Sequence, residues 1–190
     1  FMIISLCGDA GSGKSTVAGL LAKALGYRRY SVGGYRRQRA QELGLTLEQY
    51  NKKGESDPST DKEADQWTER LGKTEDNFII DGRLPFLFIP HSFKVYLTVR
   101  PEEAARRIFK DQRPSSGESF RTVQEAKAAI LRRKESDLLR YKKYYNLNPL
   151  DPKHYNLVID TTEIPAEKVA EKILVAVRQL KPAVLNAGTK

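Results

Sequence analysis

Apolar residues fall along the chain in two periods. Short runs rich in β-branched side chains at 2–7 (MIISLC), 77–81 (NFIID), 93–99 (FKVYLTV) and 155–160 (YNLVID) have the length and composition of buried strands, and a further strand ends near Ser31. After the first run, Val17, Leu20, Leu21, Ala24 and Leu25 recur at helical spacing, and Gly26 supplies the stop. Further helices are predicted over 34–43, 47–54, 59–71, 101–110, 123–145 and 165–180. Strands alternating with helices imply a five-stranded parallel sheet covered on both faces by right-handed crossovers, an α/β fold of three layers. The stretch between Ser31 and Asn77 is too long for a simple crossover, so 32–76 reads as an inserted helical subdomain. The polar segment 111–121, with Pro114 and Gly117, reads as a short lid, and 181–190 as a frayed tail.

Composition narrows the class. A chain of 190 residues suits one domain, and 39% hydrophobic with 30% charged residues places it among globular proteins. No apolar run approaches the roughly 18–20 residues of a membrane span, so no membrane partner is expected. A single cysteine, Cys7, excludes an internal disulfide. Met2 is taken as the natural start with Phe1 left ahead of it, and no basic stretch leads into a long apolar core, so a cytoplasmic protein is expected. The net charge of +9 calls for an anionic partner, nucleotide or nucleic acid.

Gly8-Asp9-Ala10-Gly11-Ser12-Gly13-Lys14-Ser15 points to a nucleotide. It fits G-x-x-x-x-G-K-[ST] between a strand and a helix, the setting of a phosphate-binding P-loop. The glycines let consecutive backbone N–H groups face one phosphate at the positive end of a helix dipole. Lys14 then reaches the β- and γ-phosphates of ATP, the Ser15 hydroxyl ligates Mg²⁺, and Thr16 completes the run. Asp81, ending its strand at the crevice side of the sheet, is a candidate magnesium ligand acting through water, or a turn cap before Gly82.

A phosphoryl acceptor needs cations of its own. Arg83 lies two residues beyond Asp81. Arg36, Arg37 and Arg39 cluster after Ser31, with a solvated helix face as the plainer reading for Arg36 and Arg39. On the long helix, Arg133, Asp137 and Arg140 project within about 60° of one another, suited to a phosphoryl clamp or to an exposed ion-pair ladder. Asp57, Asp61 and Asp65 fall in the inserted stretch and read as caps and surface charge, or as acceptors for an amino group of a ligand. Tyr27-Arg28-Arg29-Tyr30 and the stretch 140–145 interleave rings with cations, which keeps an NTP-dependent RNA-binding protein as the rival function. Cys7 and Trp67 read as packing residues, and His91 and His154 as isolated.

Taken together, the P-loop, Ser31-x-Gly33 with Arg37, Asp81-Gly82-Arg83, Arg106-Arg107, Arg133-x-x-x-Asp137-x-x-Arg140 and Asp160-Thr161-Thr162 resemble the archaeal-type branch of the cytidylate kinases, P-loop nucleoside monophosphate kinases. The likeness runs from Met2 to about Leu180. It implies a P-loop NTPase fold in which 32–76 is the monophosphate-binding subdomain. It also implies ATP and Mg²⁺ as cofactors, CMP or dCMP as acceptor, no nucleic-acid partner and a monomer. Ser31, Arg37, Asp61, Arg83, Arg133 and Arg140 would hold the substrate, with Asp137 orienting the acceptor end. Arg107 would lie near the adenine and phosphates of ATP. Two positions depart from the kinase pattern: Gly34, where an acidic residue is common, and Leu84, where bacterial cytidylate kinases place aspartate. An adenylate or broad-specificity kinase is the runner-up within the enzyme class.

Overall fold

The computed structural model describes residues 2–112, 114 and 118–185. Strand β1 (Ile3–Gly8) leads through the glycine loop into α1 (Lys14–Leu25), followed by β2 (Arg28–Ser31), α2 (Val32–Glu42), α3 (Leu47–Gly54), α4 (Ser59–Thr74) and β3 (Phe78–Asp81). The chain continues with α5 (Pro85–Phe88), β4 (Phe93–Thr98), α6 (Pro101–Lys110), α7 (Val123–Tyr145), a 3-10 turn at Pro152–His154, β5 (Leu157–Asp160) and α8 (Ala166–Leu185). The sheet order is β2-β3-β1-β4-β5, and every pairing is parallel.

β1 is buried along its whole length because both of its faces are covered. Ile4 and Leu6 meet Val17 and Leu21 of α1 and Val169, Ile173 and Val177 of α8. The opposite face places Ile3 with Leu71 and Ile89, and Cys7 with Leu84, Phe86, Tyr96 and Tyr141. Two helical layers thus sandwich the sheet, and burial of these side chains is the main favourable contribution to folding.

Several elements differ from the pattern-based expectation. α2 begins at Val32, taking in Gly33 and Gly34, because the Ser31 hydroxyl accepts a bond from the Gly34 N–H (3.2 Å) and caps the turn. α5 escapes periodicity analysis because it has only 4 residues. β5 starts at Leu157, and ahead of it the Tyr155 hydroxyl donates to the Pro149 carbonyl (2.6 Å). The expected tail at 181–190 is helical as far as Leu185, and 186–190 lie outside the described residues. Within the segment expected to be a lid, 113 and 115–117 lie outside the described residues. Its flanks are joined by the Gln112 amide, which donates to the Phe120 carbonyl (3.0 Å) and accepts from the Phe120 N–H (3.1 Å).

Candidate active site

A cavity of about 690 Å³ opens beside the glycine loop at the carboxyl ends of the central strands. In open parallel sheets this edge is where ligands bind. Gly8 has φ 137°, and a Cβ there would stand 2.1 Å from the Leu97 carbonyl oxygen, so only glycine lets the loop turn this close to β4. No side chain caps the start of α1, which leaves its first N–H groups directed at the cavity. Ala10, Gly11, Ser12, Gly13, Lys14, Ser15 and Thr16 all line it. Asp9 faces away, paired with Lys134 of α7 (3.5 Å).

Lys14 folds back over the loop, its Nζ donating to the carbonyls of Gly8 (2.9 Å) and Asp9 (2.5 Å). Burial, and then the neighbouring Arg83, pull its ammonium from 10.5 down to about 7. Arg133 is pulled down to about 10 for the same two reasons. Three cations crowded along one wall repel one another, and a polyanion entering between them relieves that repulsion.

Arg37 of α2 and Arg133 of α7 converge on one carboxylate. Glu118 accepts from Arg37 Nε (2.7 Å) and Nη2 (3.3 Å), and Arg133 Nη1 stands 3.5 Å away. Two helices from different parts of the chain therefore aim guanidinium groups at one anion position. Arg83 joins this wall, pairing through Nε with Asp137 (3.0 Å) and donating to the Gly8 carbonyl (2.5 Å).

Arg140 is not with them. Although it shares a helical sector with Arg133, seven residues carry it roughly 10 Å along the axis, beyond the cavity wall. It is 1% exposed and paired with Asp137 and with Asp61 of α4. It is neither an exposed ladder nor a group facing the cavity, but a buried tie between two helices. Arg36 likewise departs from the solvated-face reading: it donates to Asp61 Oδ1 (2.9 Å), the Thr60 carbonyl (3.0 Å) and Asn51 Oδ1 (3.0 Å). Arg39, paired with Glu63 at 2.8 Å, stays partly exposed.

The three aspartates separate cleanly. Asp57 accepts the Ser59 N–H (2.9 Å), a turn cap outside the cavity. Asp61 and Asp65 both line the cavity. Asp61 is 4% exposed, and its Oδ2 has no hydrogen-bond partner among the described residues. Burial pushes the Asp65 carboxyl from 3.8 up to about 7, with the Asp61 charge adding to the shift and the Tyr145 hydroxyl opposing it. Between pH 4 and 7 the folded chain therefore holds a proton at Asp65 that the unfolded chain has lost, so this group's contribution to stability falls as pH rises. Asp65→Asn removes that fall. In thermal melts it should match wild type below about pH 4 and exceed it at pH 8; a variant less stable at pH 8 overturns the assignment.

Asp81 is 4% exposed and accepts from Ser31 Oγ (2.9 Å) and Ser15 Oγ (3.4 Å). Among the described residues no group of three or more His, Cys, Asp or Glu side chains could hold a metal. Two hard oxygen donors beside a phosphate cradle fit Mg²⁺, which takes its remaining ligands from nucleotide phosphates and water. At the far end Arg107 donates to the carbonyls of Thr161 (2.8 Å) and Thr162 (3.1 Å) and reaches the Gly11 carbonyl (3.4 Å). Thr161 in turn donates to the Ser12 carbonyl (3.1 Å), so the loop after β5 is clasped to the P-loop. Thr161 belongs to the Asp160-Thr161-Thr162 motif, to which no role was given, and nothing in local spacing marks Glu118.

The proposed RNA-stacking rings are otherwise engaged. Tyr30 packs edge-on against Phe78 (5.3 Å), the Tyr144 hydroxyl donates to the Gly54 carbonyl (2.7 Å), and Tyr141 is buried. Burial pushes the Cys7 thiol up to about 12, consistent with a packing role.

A family model described as an AAA domain (AAA_18) matches residues 4–139. Over 182 residues, 96% of this chain and 100% of its relative, the sequence is 36% identical to the cytidylate kinase of Methanocella arvoryzae. The chain belongs to the cytidylate kinase family. A second relative is the S-adenosylmethionine-dependent nucleotide dehydratase of Lacinutrix mariniflava, 34% identical over 90% of this chain but only 35% of that protein, so the cytidylate kinase-like unit also occurs as part of a longer chain. Shikimate kinase from Bacteroides thetaiotaomicron shares the fold at TM-score 0.64 and 16% identity, covering 93% of this chain and 98% of that structure. No described helix of this cytidylate kinase family member is long and apolar enough to cross a membrane.

Proposed function

We propose that this chain transfers the γ-phosphoryl group of ATP to the 5′-phosphate of CMP or dCMP, giving CDP or dCDP and ADP. The observation that carries this reading is the arrangement of the cavity: a P-loop and Lys14 on one side, with Arg37 and Arg133 converging on one anion position on the other. That arrangement suits two phosphorylated ligands brought end to end.

In this reading the P-loop backbone and Lys14 hold the donor phosphates, and Arg107 and the loop after β5 close the adenine end. Ser15 and Asp81 would hold Mg²⁺, which would supply charge neutralisation at the β- and γ-phosphates. Arg37 and Arg83 bind the acceptor phosphate, and Arg133 spans the transferring group. An acceptor oxygen attacks the γ-phosphorus as the bond to ADP breaks, and positioning and electrostatics carry the catalysis. Asp137 keeps Arg83 aimed. The unpartnered Asp61 oxygen accepts from the cytosine amino group, a contact that uracil, with a carbonyl there, does not make. Arg140 serves the substrate only by holding Asp61 and Asp137.

Comparison of kcat/KM for CMP, dCMP, UMP and AMP in an ADP-coupled assay tests the reading. CMP and dCMP should lead. AMP ahead by tenfold, about 1.4 kcal/mol of transition-state preference, replaces the cytidylate assignment with an adenylate or broad-specificity kinase.

A further inference from the structure

Asp81 is held from a side that the phosphoryl-transfer reading does not use. Its Oδ1 accepts from Ser15 and Ser31, while its Oδ2 accepts from Arg29 Nη2 (3.0 Å) and Nε (3.3 Å). The source of this contact is the register of the two strands. Ser31 pairs with Asp81 and Arg29 with Ile79, so Arg29 stands two residues behind Ser31 on the same face of β2, one side-chain length from the carboxylate. The guanidinium lies beside Gly19 of α1, where a Cβ would stand 4.0 Å from Arg29 Nη1, an ordinary contact distance. Arg29 is absent from the cavity wall that Asp81 lines.

We propose that Arg29 is a positioning residue for metal binding: its planar fork locks the Asp81 carboxylate so that Oδ1 is the oxygen presented beside Ser15. The inference rests on the reading of Ser15 and Asp81 as the magnesium end of a phosphoryl-transfer site. Two properties of arginine are separable here. The fork sets the orientation of the carboxylate, whereas the positive charge taken alone weakens the pull of Asp81 on a cation. If orientation dominates, losing the fork weakens metal binding whether or not the charge stays. If charge dominates, lysine behaves as wild type and an uncharged residue binds metal more tightly. If Arg29 serves only the sheet edge, metal binding does not change.

The test is Mn²⁺ binding to the full chain saturated with ADP, read from free Mn²⁺ by electron paramagnetic resonance, in wild type, Arg29→Lys and Arg29→Met. Both variants should bind Mn²⁺ about tenfold more weakly, the lower end of what loss of an outer-sphere partner costs. Metal-free ADP affinity and CMP affinity should stay within twofold of wild type, and the apparent KM for Mg²⁺ should rise in parallel. Mn²⁺ affinity within twofold of wild type in Arg29→Lys, or tighter binding in Arg29→Met, overturns the proposal. So does a loss matched by equal losses of ADP and CMP affinity, which marks general disruption. Should Arg29→Met fail to fold, Arg29→Lys alone decides. A wild-type chain that binds Mn²⁺ with ADP yet phosphorylates no nucleoside monophosphate fails the acceptor reading while leaving this test intact; one whose ADP complex takes up no Mn²⁺ overturns both.

Discussion

Lys14→Ala loses phosphoryl transfer by about 10²–10³-fold or more while the chain stays folded, because a preorganised cation aimed at developing charge is removed. Folding is spared because the Lys14 contacts are to loop carbonyls rather than to the core. The sign of the stability effect follows from its lowered pKa. Between about pH 7 and 10.5 the unfolded chain carries a proton on Lys14 that the folded chain does not, so this group makes stability rise with pH across that window. At pH 7 the nucleotide-free variant should therefore melt no lower than wild type. Circular dichroism melts and a coupled assay read the two quantities separately, and turnover at the wild-type rate after this substitution ends the P-loop assignment.

Arg133→Ala and Arg140→Ala should fail in opposite ways. Arg133 stands at the cavity, close to Arg83 and drawn down to about 10, so its loss relieves charge crowding in the empty protein. The cost falls on kcat, by ~10³–10⁵-fold for an arginine that stabilises the transferring group. Lysine at that position should not restore the rate, since it lacks the two-pronged donor. Arg140→Ala instead leaves Asp61 and Asp137 buried without their shared cation. Breaking such a pair costs about 3–5 kcal/mol, a large share of the roughly 5–15 kcal/mol that holds a domain together. Urea denaturation should show a much lower midpoint for Arg140→Ala and an almost unchanged one for Arg133→Ala. A stably folded Arg140→Ala with a kcat loss as large as that of Arg133→Ala would place Arg140 on the ligand.

Local signals were legible in the sequence to the residue where a cap or proline marks the boundary. α3, α6 and α7 occupy the expected 47–54, 101–110 and 123–145, because Thr46 and Thr122 cap α3 and α7 and Pro101 opens α6. The P-loop was equally plain, since its chemistry lies within eight consecutive residues. Long-range pairing was not. The Arg140 partner Asp61 lies 79 residues away, and Glu118 is 81 residues from Arg37. Helical periodicity reports an angle about one axis and says nothing of how far along that axis the cavity reaches, which is why Arg133 and Arg140 looked equivalent. Arg29 was hidden for a related reason: alternation in a short edge strand assigns it a face, while its contact depends on the register with β3.

Asp61 gathers Arg36 from α2 and Arg140 from α7 onto α4, and Arg36 reaches on to Asn51 of α3. Four helices are thereby bolted together around one buried carboxylate, and a bolt of this kind has mechanical consequences. The helices that wall the acceptor end are tied to one another and to the end of α7, so widening the cavity by swinging α4 alone would have to break these bonds. Because Asp61 and Arg140 are almost wholly buried, raising the ionic strength screens the more exposed phosphate-facing arginines more than it weakens this joint.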